Sequence, residues 1–340
     1  MIKRRNLLYI GNKLAVHGKL PSGIDDLSVR IEGEGFRVFT ASSKENKTFR
    51  LADMVLSTLR HRDEVACVLI DTYSTQNFYY AVIIAKLCRI LKVPYIPILH
   101  GGNLPQRLES SKNLSRELFG NAMTNVVPST YLLEKFKAKG YTNLTYIPNT
   151  IEIDNYPFLL RKKLRPRLLW VRSFAELYNP MLAIKLVEQL KKEGVEVELC
   201  MVGPDKDGLL ERCKNKAEAL NLPITFTGKL EKAEWITLAA DYDIFINTTN
   251  FDNMPVSVME AMALGLPIIS TNVGGLAYLI ENTKDGILVP PNNPALFSKA
   301  ITNLLENQEM ATQLLLNARK KVEAFDWQEV KHSWFRLLES

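Results

Sequence analysis

The 340-residue sequence predicts an α/β chain made of two Rossmann-like, doubly wound units facing a cleft. Three observations carry this reading. Short continuous apolar runs alternate with amphipathic stretches, the pattern of parallel strands buried on both faces and crossed by helices. The length exceeds what one core needs and suits two domains. A basic stretch with three prolines, 148–167, interrupts the alternation once near the middle and reads as a linker. The predicted division is 1–155 and 156–324, with a last helix over 325–340.

Taken in order, residues 7–11 read as the first strand and 12–23 as a loop holding Gly18 and Gly23. Ser22 can cap the next helix, with Asp25 and Asp26 in its first turn. A strand over 36–40 follows, then a helix over 47–62 with Leu51, Met54, Val55 and Leu59 on one face. The run 65–70 is apolar throughout, as in a fully buried strand. Helix 77–91, strand 95–99 and a further alternation to 147 complete the first unit. The second begins with the strand 168–171 and continues through helix 180–192, strand 195–202 and helix 209–220 to the strands 224–226 and 244–246. In the stretch 252–269, a polar loop ends at Pro255 and a short helix places Val256, Met259, Ala263 and Leu264 at core spacing. Gly265-Leu266-Pro267 then opens another strand.

Composition narrows the class. An apolar fraction of 46% with 24% charged residues is that of a soluble globular protein. The four cysteines show no metal or redox spacing, which predicts buried free thiols and a reducing cytoplasm. No apolar run approaches the roughly 18 residues of a membrane span, and the one near the N-terminus is too short for a signal-peptide core. The net charge is +6, with the basic excess in the first half. That suits an anionic substrate or an anionic membrane surface. The basic residues are scattered and no nucleic-acid motif occurs, so nucleic acid is not an expected partner.

Several residues can carry chemistry. A helix opening at Val256 and Ser257 offers unpaired N–H groups and a partial positive charge, which suits phosphate. Glu260, one turn further on, can accept two hydrogen bonds from a ribose diol. His100 follows the strand 95–99, precedes Gly101-Gly102, and can donate to a sugar hydroxyl. Arg172 ends the strand 168–171, where a guanidinium can pair with a diphosphate. The loop with His17, Lys19 and Gly23 can cradle an anion.

The spacing Asp252-x7-Glu260, with Glu-Ala-Met-Ala-x-Gly-x-Pro running on from Glu260, resembles a family signature. It is similar to the Glu-x7-Glu pattern of retaining, nucleotide-sugar-dependent glycosyltransferases with the glycosyltransferase-B fold, of the group 1, family 4 type. Ser270-Thr271-Asn272-Val273-Gly274-Gly275 and Asp285-Gly286-Ile287-Leu288-Val289-Pro290 extend the resemblance. It implies an acceptor-binding first domain, a nucleotide-sugar-binding second domain, and a terminal helix that crosses back to the first. It implies transfer from a UDP- or GDP-sugar to a glycan or lipid-linked sugar, in surface polysaccharide or glycolipid biosynthesis, with no cofactor and no obligatory metal. His100, Asp252 and Arg172 would serve catalysis. Glu260, Arg172, Lys229, Gly228, Asn253, Met254, Val256 and Ser257 would hold the donor, and His17, Lys19 and Gly23 the acceptor or diphosphate.

The chain departs from the pattern in places. Asp252 is one methylene shorter than Glu, Asn253-Met254 replaces Gly-Phe, and Leu177 stands where the family has a phosphate-binding Lys. Lys229 or the N-terminal loop is expected to compensate. The interleaved apolar and basic residues of 108–119 and 131–139 would suit peripheral contact with the inner face of the plasma membrane. Two other readings stay open. A sugar-nucleotide epimerase or hydrolase would need carboxylates in both units, and Asp71 after the run 65–70 is the first unit's candidate. A non-catalytic nucleotide-sugar-binding partner would suit Leu177 and Asp252.

Overall fold

The structure, a computed structural model, describes residues 6–18 and 21–339. It forms two compact units. One runs through Pro148 and takes up the chain again from Lys331, and the other spans Asn149–Val330. The first division lies before the expected 155/156 because Ile151 and Tyr156 are buried in the core of the second unit.

In the first unit β1 (Asn6–Ile10), α1 (Gly23–Gly33), β2 (Arg37–Ala41), α2 (Lys47–His61), β3 (Cys67–Thr72) and α3 (Asn77–Leu91) alternate. They are followed by β4 (Tyr95–Leu99), α4 (Leu104–Ser110), α5 (Lys112–Gly120), β5 (Asn125–Val127), α6 (Thr130–Ala138) and β6 (Leu144–Tyr146). The sheet order is β2-β1-β3-β4-β5-β6, every neighbouring pair parallel. The order reverses between β1 and β3, and ligands of open α/β sheets bind beyond the carboxyl ends of strands at such a switch point. The strand expected at 65–70 runs two residues further, because Asp71 and Thr72 are paired and buried although polar.

The second unit contains β7 (Arg167–Val171), α7 (Pro180–Lys192), β8 (Glu198–Val202), α8 (Leu209–Ala219), β9 (Ile224–Gly228) and α9 (Lys232–Leu238). Then come β10 (Ile244–Asn247), α10 (Val256–Ala263), β11 (Ile268–Thr271), α11 (Leu276–Leu279) and β12 (Ile287–Val289). Helices α12 (Pro294–Glu306) and α13 (Gln308–Glu323) complete it, and α14 (Trp327–Leu338) ends the chain. The order β12-β11-β10-β7-β8-β9 is again all parallel, with the switch point between β7 and β10. The floor of this sheet at its carboxyl edge is polar and largely hydrogen-bonded, with Asn247 Oδ1 buried without a partner. Trp170 Nε1 donates to Thr248 Oγ1 at 2.9 Å, Asn247 to Ser270 at 2.9 Å and Thr271 Oγ1 to the Thr249 carbonyl at 2.6 Å.

Three expectations change. In the basic stretch 161–167, Lys162, Lys163 and Arg165 are exposed, but the two other arginines are tied into the second unit. Arg161 is buried and donates to the carbonyls of Leu159, Ala239, Tyr242, Leu264 and Gly265, while Arg167 pairs with Asp243 at 2.8 Å. Val256 is 36% exposed, whereas Met259, Ala263 and Leu264 are core as expected. Of the apolar residues in 108–119 and 131–139, Leu108, Leu118, Phe119, Tyr131, Leu132 and Phe136 are buried inside the first unit, and Leu114 and Leu133 are half-buried. No helix among the described residues is long and apolar enough to cross a membrane.

The four cysteines are free and buried, and burial pushes the Cys67 and Cys88 thiols up to about 12. Helix α14 leaves the second unit at Val330, and its later residues pack in the first. There Lys331 pairs with Glu34 at 3.1 Å and the Phe335 ring stacks on Phe36 at 5.9 Å.

Candidate functional site

Each switch point gathers charged side chains. In the first unit the centre is Asp71, at the end of β3. Its Oδ1 accepts from the Tyr9 hydroxyl at 2.7 Å and lies 2.7 Å from His100 Nε2, while Oδ2 accepts from the Ile24 N–H at 3.2 Å. Tyr9 comes from β1, His100 follows β4, and Ile24 lies in the first turn of α1. A carboxylate only accepts, so Nε2 is the nitrogen that carries a proton toward Asp71.

The Tyr73 ring stacks on His100 at 5.3 Å between centroids. Burial, and after it the Asp71 charge, pushes the Tyr9 and Tyr73 phenols well above their ordinary range, so both stay neutral. Gly23 makes room for the ring, since a Cβ there would lie 2.7 Å from His100 Nε2. His17 is not part of this array. Its Nε2 meets the Ser43 carbonyl at 2.7 Å and ties the loop to the end of β2. Lys19 lies outside the described residues.

In the second unit Arg172, after β7, and Asp252, in the loop after β10, meet at 2.5 Å between Nη2 and Oδ2. The guanidinium also lies over the Tyr178 ring, 4.8 Å from its centroid. Asp252 Oδ1 accepts from the Asn253 N–H at 2.8 Å, which fixes the loop before α10. Asn253 and Met254 are buried, and the Met254 carbonyl accepts from Asn149 at 3.0 Å. The first intrahelical bonds of α10 run from Val258 and Met259 to Pro255, so the N–H groups of Val256 and Ser257 open the helix.

Glu260 is 4% exposed, one turn inside α10. Its Oε1 accepts from the Tyr156 hydroxyl at 2.6 Å and from Lys232 Nζ at 2.7 Å, Lys232 itself being largely exposed. Two polar groups of this crevice, Arg172 Nε and Ser257 Oγ, are buried without a hydrogen-bond partner. Buried donors are rarely left so unless a ligand or solvent completes them. Lys229 does not join Arg172. It pairs with Glu231 at 3.0 Å, while Gly228 accepts from the Gly203 N–H at 2.8 Å.

Sequence reading missed Tyr9, Tyr156, Tyr178 and Lys232. The three tyrosines are indistinguishable from packing residues by pattern alone, and nothing in the spacing links Lys232 to a carboxylate 28 residues later. Among the described residues no three His, Cys, Asp or Glu side chains gather as a metal site. Asp243, in an Asp-x-Asp triplet with Asp241, pairs with Arg167.

Two parallel six-stranded sheets, each with charged side chains gathered at its switch point, define the class, a two-domain α/β chain of the glycosyltransferase-B fold. Its likeness to the sucrose-phosphate synthase of Thermosynechococcus elongatus has a TM-score of 0.82 over 98% of both chains, at 17% identity. The Anabaena HepE protein in complex with UDP-glucose matches at 0.77 over 98% of this chain and 99% of its own, at 16% identity. Residues 154–321, within the second unit, match the family of glycosyl transferases group 1.

Among curated relatives, the Erwinia amylovora amylovoran biosynthesis glycosyltransferase AmsK is 27% identical over 274 residues, 73% of this chain and 64% of that protein. The Mycobacterium tuberculosis glycogen synthase is 26% identical over 199 residues, 56% of this chain. The match spans about half the length of that enzyme, 47%.

Proposed function

We propose that the protein is a retaining glycosyltransferase that moves a sugar from a nucleoside diphosphate donor to a hydroxyl of a glycan or lipid-linked acceptor. One observation carries this. At the switch point of the second sheet, Arg172 and Ser257 keep unpartnered buried polar atoms beside an open helix start, with the buried carboxylate of Glu260 one turn on. A diphosphate between the guanidinium and the helix start, with its ribose at Glu260, would complete these groups. Charge on the departing diphosphate would be stabilised by Arg172 and the Val256 and Ser257 N–H groups, which is where most of the barrier reduction in such a reaction arises.

The first unit contributes His100, held by Asp71, to meet a sugar hydroxyl. UDP is the favoured donor nucleotide, in line with the UDP-glucose complex of the Anabaena structure. Surface polysaccharide synthesis is favoured by the amylovoran relative. We place the reaction in the cytoplasm, with no obligatory metal, and any approach to a membrane through basic rather than apolar surface.

A panel of UDP, GDP, ADP and their sugars in thermal unfolding tests the donor site. A nucleotide at 100 times its dissociation constant should stabilise the protein by about 2.7 kcal/mol. No response to any nucleotide overturns the proposal. Turnover unchanged by a chelator is the expected result for metal independence, and loss of turnover sinks that part. A second reading has two observations in its favour: the ion pair with Asp252 partly neutralises Arg172, and Leu177 stands where the resemblance implies a Lys. A non-catalytic binder would respond to nucleotide yet release no nucleoside diphosphate with any acceptor.

A further inference from the structure

A polar hollow of about 260 Å³ lies in the first unit, lined by Ser74, Asn103, Gln106, Arg107 and Ser110. It belongs to the same sheet edge as His100. Ser74 directly follows Tyr73, whose ring stacks on His100, and Gly101 packs so closely that a Cβ on it would lie 2.6 Å from the Ser74 nitrogen. The volume is just below the roughly 300 Å³ at which small-molecule sites begin, which suits one sugar ring and not a nucleotide.

Arg107 gives the hollow its character. Its Nε donates to the Ser74 carbonyl at 2.7 Å, and the guanidinium carbon lies 5.3 Å and 5.4 Å from the ring centroids of Phe78 and Tyr79. One hydrogen bond and two rings thus fix the plane of the group, while its terminal nitrogens remain available. Among the described residues no carboxylate pairs with it, and Glu109, the acid on the same helix, is taken by Lys139 at 3.0 Å. The other lining side chains are neutral hydroxyls and amides, and Asn103 donates to Gln106 at 2.6 Å. A fixed, uncompensated guanidinium among neutral hydrogen-bonding groups matches a ligand with one two-oxygen anion and several hydroxyls.

We propose that this hollow is the acceptor subsite and that it selects a sugar bearing a negative charge, with Arg107 as the specificity-determining residue. The proposal rests on the glycosyltransferase reading above and names the acceptor class that reading leaves open. Carboxylate and phosphate share the recognised chemistry, and the test separates them.

Methyl β-D-glucuronide, glucose 6-phosphate and methyl β-D-glucoside are compared as ligands of the full-length protein by saturation-transfer NMR and titration, with UDP present. Wild type should bind at least one charged probe about tenfold more tightly than the glucoside, and the tighter of the two identifies the anion. Arg107→Gln should abolish the difference, Arg107→Lys should keep part of it, and each should leave the thermal response to UDP unchanged. Ser110 is exposed, so Ser110→Glu should fold normally, place a carboxylate at the hollow and weaken only the charged probes. Equal binding of charged and neutral probes, or an undiminished preference in Arg107→Gln and Ser110→Glu, overturns the proposal. So does no binding of any probe by a protein that still responds to UDP. Loss of the UDP response itself in wild type strikes the glycosyltransferase reading instead.

Discussion

The two switch points handle their central charges in different ways. In the first unit Asp71 is buried and receives the Tyr9 hydroxyl, the Ile24 N–H and His100 Nε2, so the chain itself satisfies it. In the second, Arg172 and Asp252 satisfy each other only in part: their side chains are 13% and 18% exposed, and Arg172 Nε has no partner. The first arrangement is a fixed mount for one imidazole. The second is a pair that a ligand can open.

The largest expected effect separates backbone from side chain in the two crevices. A Cβ at Gly203 would lie 1.8 Å from the Arg172 carbonyl, at a φ of +147°, so backbone must move. A Cβ at Gly23 would meet the His100 ring at 2.7 Å, and a ring can turn aside. Gly203→Ala should therefore lose about 3 kcal/mol or more in denaturant unfolding, and Gly23→Ala clearly less but with damaged turnover. Equal losses of stability would mean that the first mount is as rigid as the second backbone contact.

Next comes Asp71→Asn. The Ile24 N–H still needs an acceptor, so the new amide nitrogen faces Tyr9 and His100, and the imidazole must move its proton to Nδ1. Turnover should fall about 100-fold, the low end for a positioned proton-transferring group, while UDP affinity stays unchanged. Nitrogen NMR of His100 should report the exchanged tautomer. An unchanged tautomer with the same loss of turnover would make the role of Asp71 merely structural.

The fold was legible because buried parallel strands write themselves as apolar runs: 95–99 was read to the residue. It was less legible where polar groups are buried. Strand β3 was cut short at Asp71, and Arg161 passed for a linker charge because its acceptors are carbonyls up to 104 residues away. Glu260, Asp252 and Arg172 could be placed in the sequence, since a helix start and a strand end position them by local rules. Their partners could not. Tyr9, inside an apolar run, reveals nothing of a hydroxyl bound to Asp71 62 residues later, and Tyr156 reaches Glu260 across 104. Pattern reports which face a residue is on, and a hydrogen bond between distant elements leaves no period.

Within the second crevice, Glu260→Ala should weaken nucleotide binding by about 1.5–3 kcal/mol, the scale of a hydrogen bond to a charged group. Calorimetry with UDP and with the base-free ribose 5-phosphate checks it, since both should lose if Glu260 holds the ribose. Lys232 and Tyr156 lose their shared acceptor as well, so Glu260→Gln serves as the milder control. Unaltered affinity in both variants would remove Glu260 from the ribose site.

The smallest effect carries the most informative sign. Asp252 occupies Arg172 in this structure, and under the proposed function an incoming diphosphate would displace it. Asp252→Asn keeps the shape, and its amide oxygen can still accept from the Asn253 N–H, but the competing charge is gone. Partly exposed ion pairs contribute up to about 1 kcal/mol, so UDP should bind up to about fivefold more tightly to the variant. Turnover should fall nonetheless, because the same carboxylate is then missing from the sugar. Tighter binding with slower transfer would identify Asp252 as a placeholder that exchanges Arg172 for the substrate during each cycle. Weaker UDP binding would instead place the carboxylate in direct contact with the nucleotide, and the second switch point would be a fixed mount like the first.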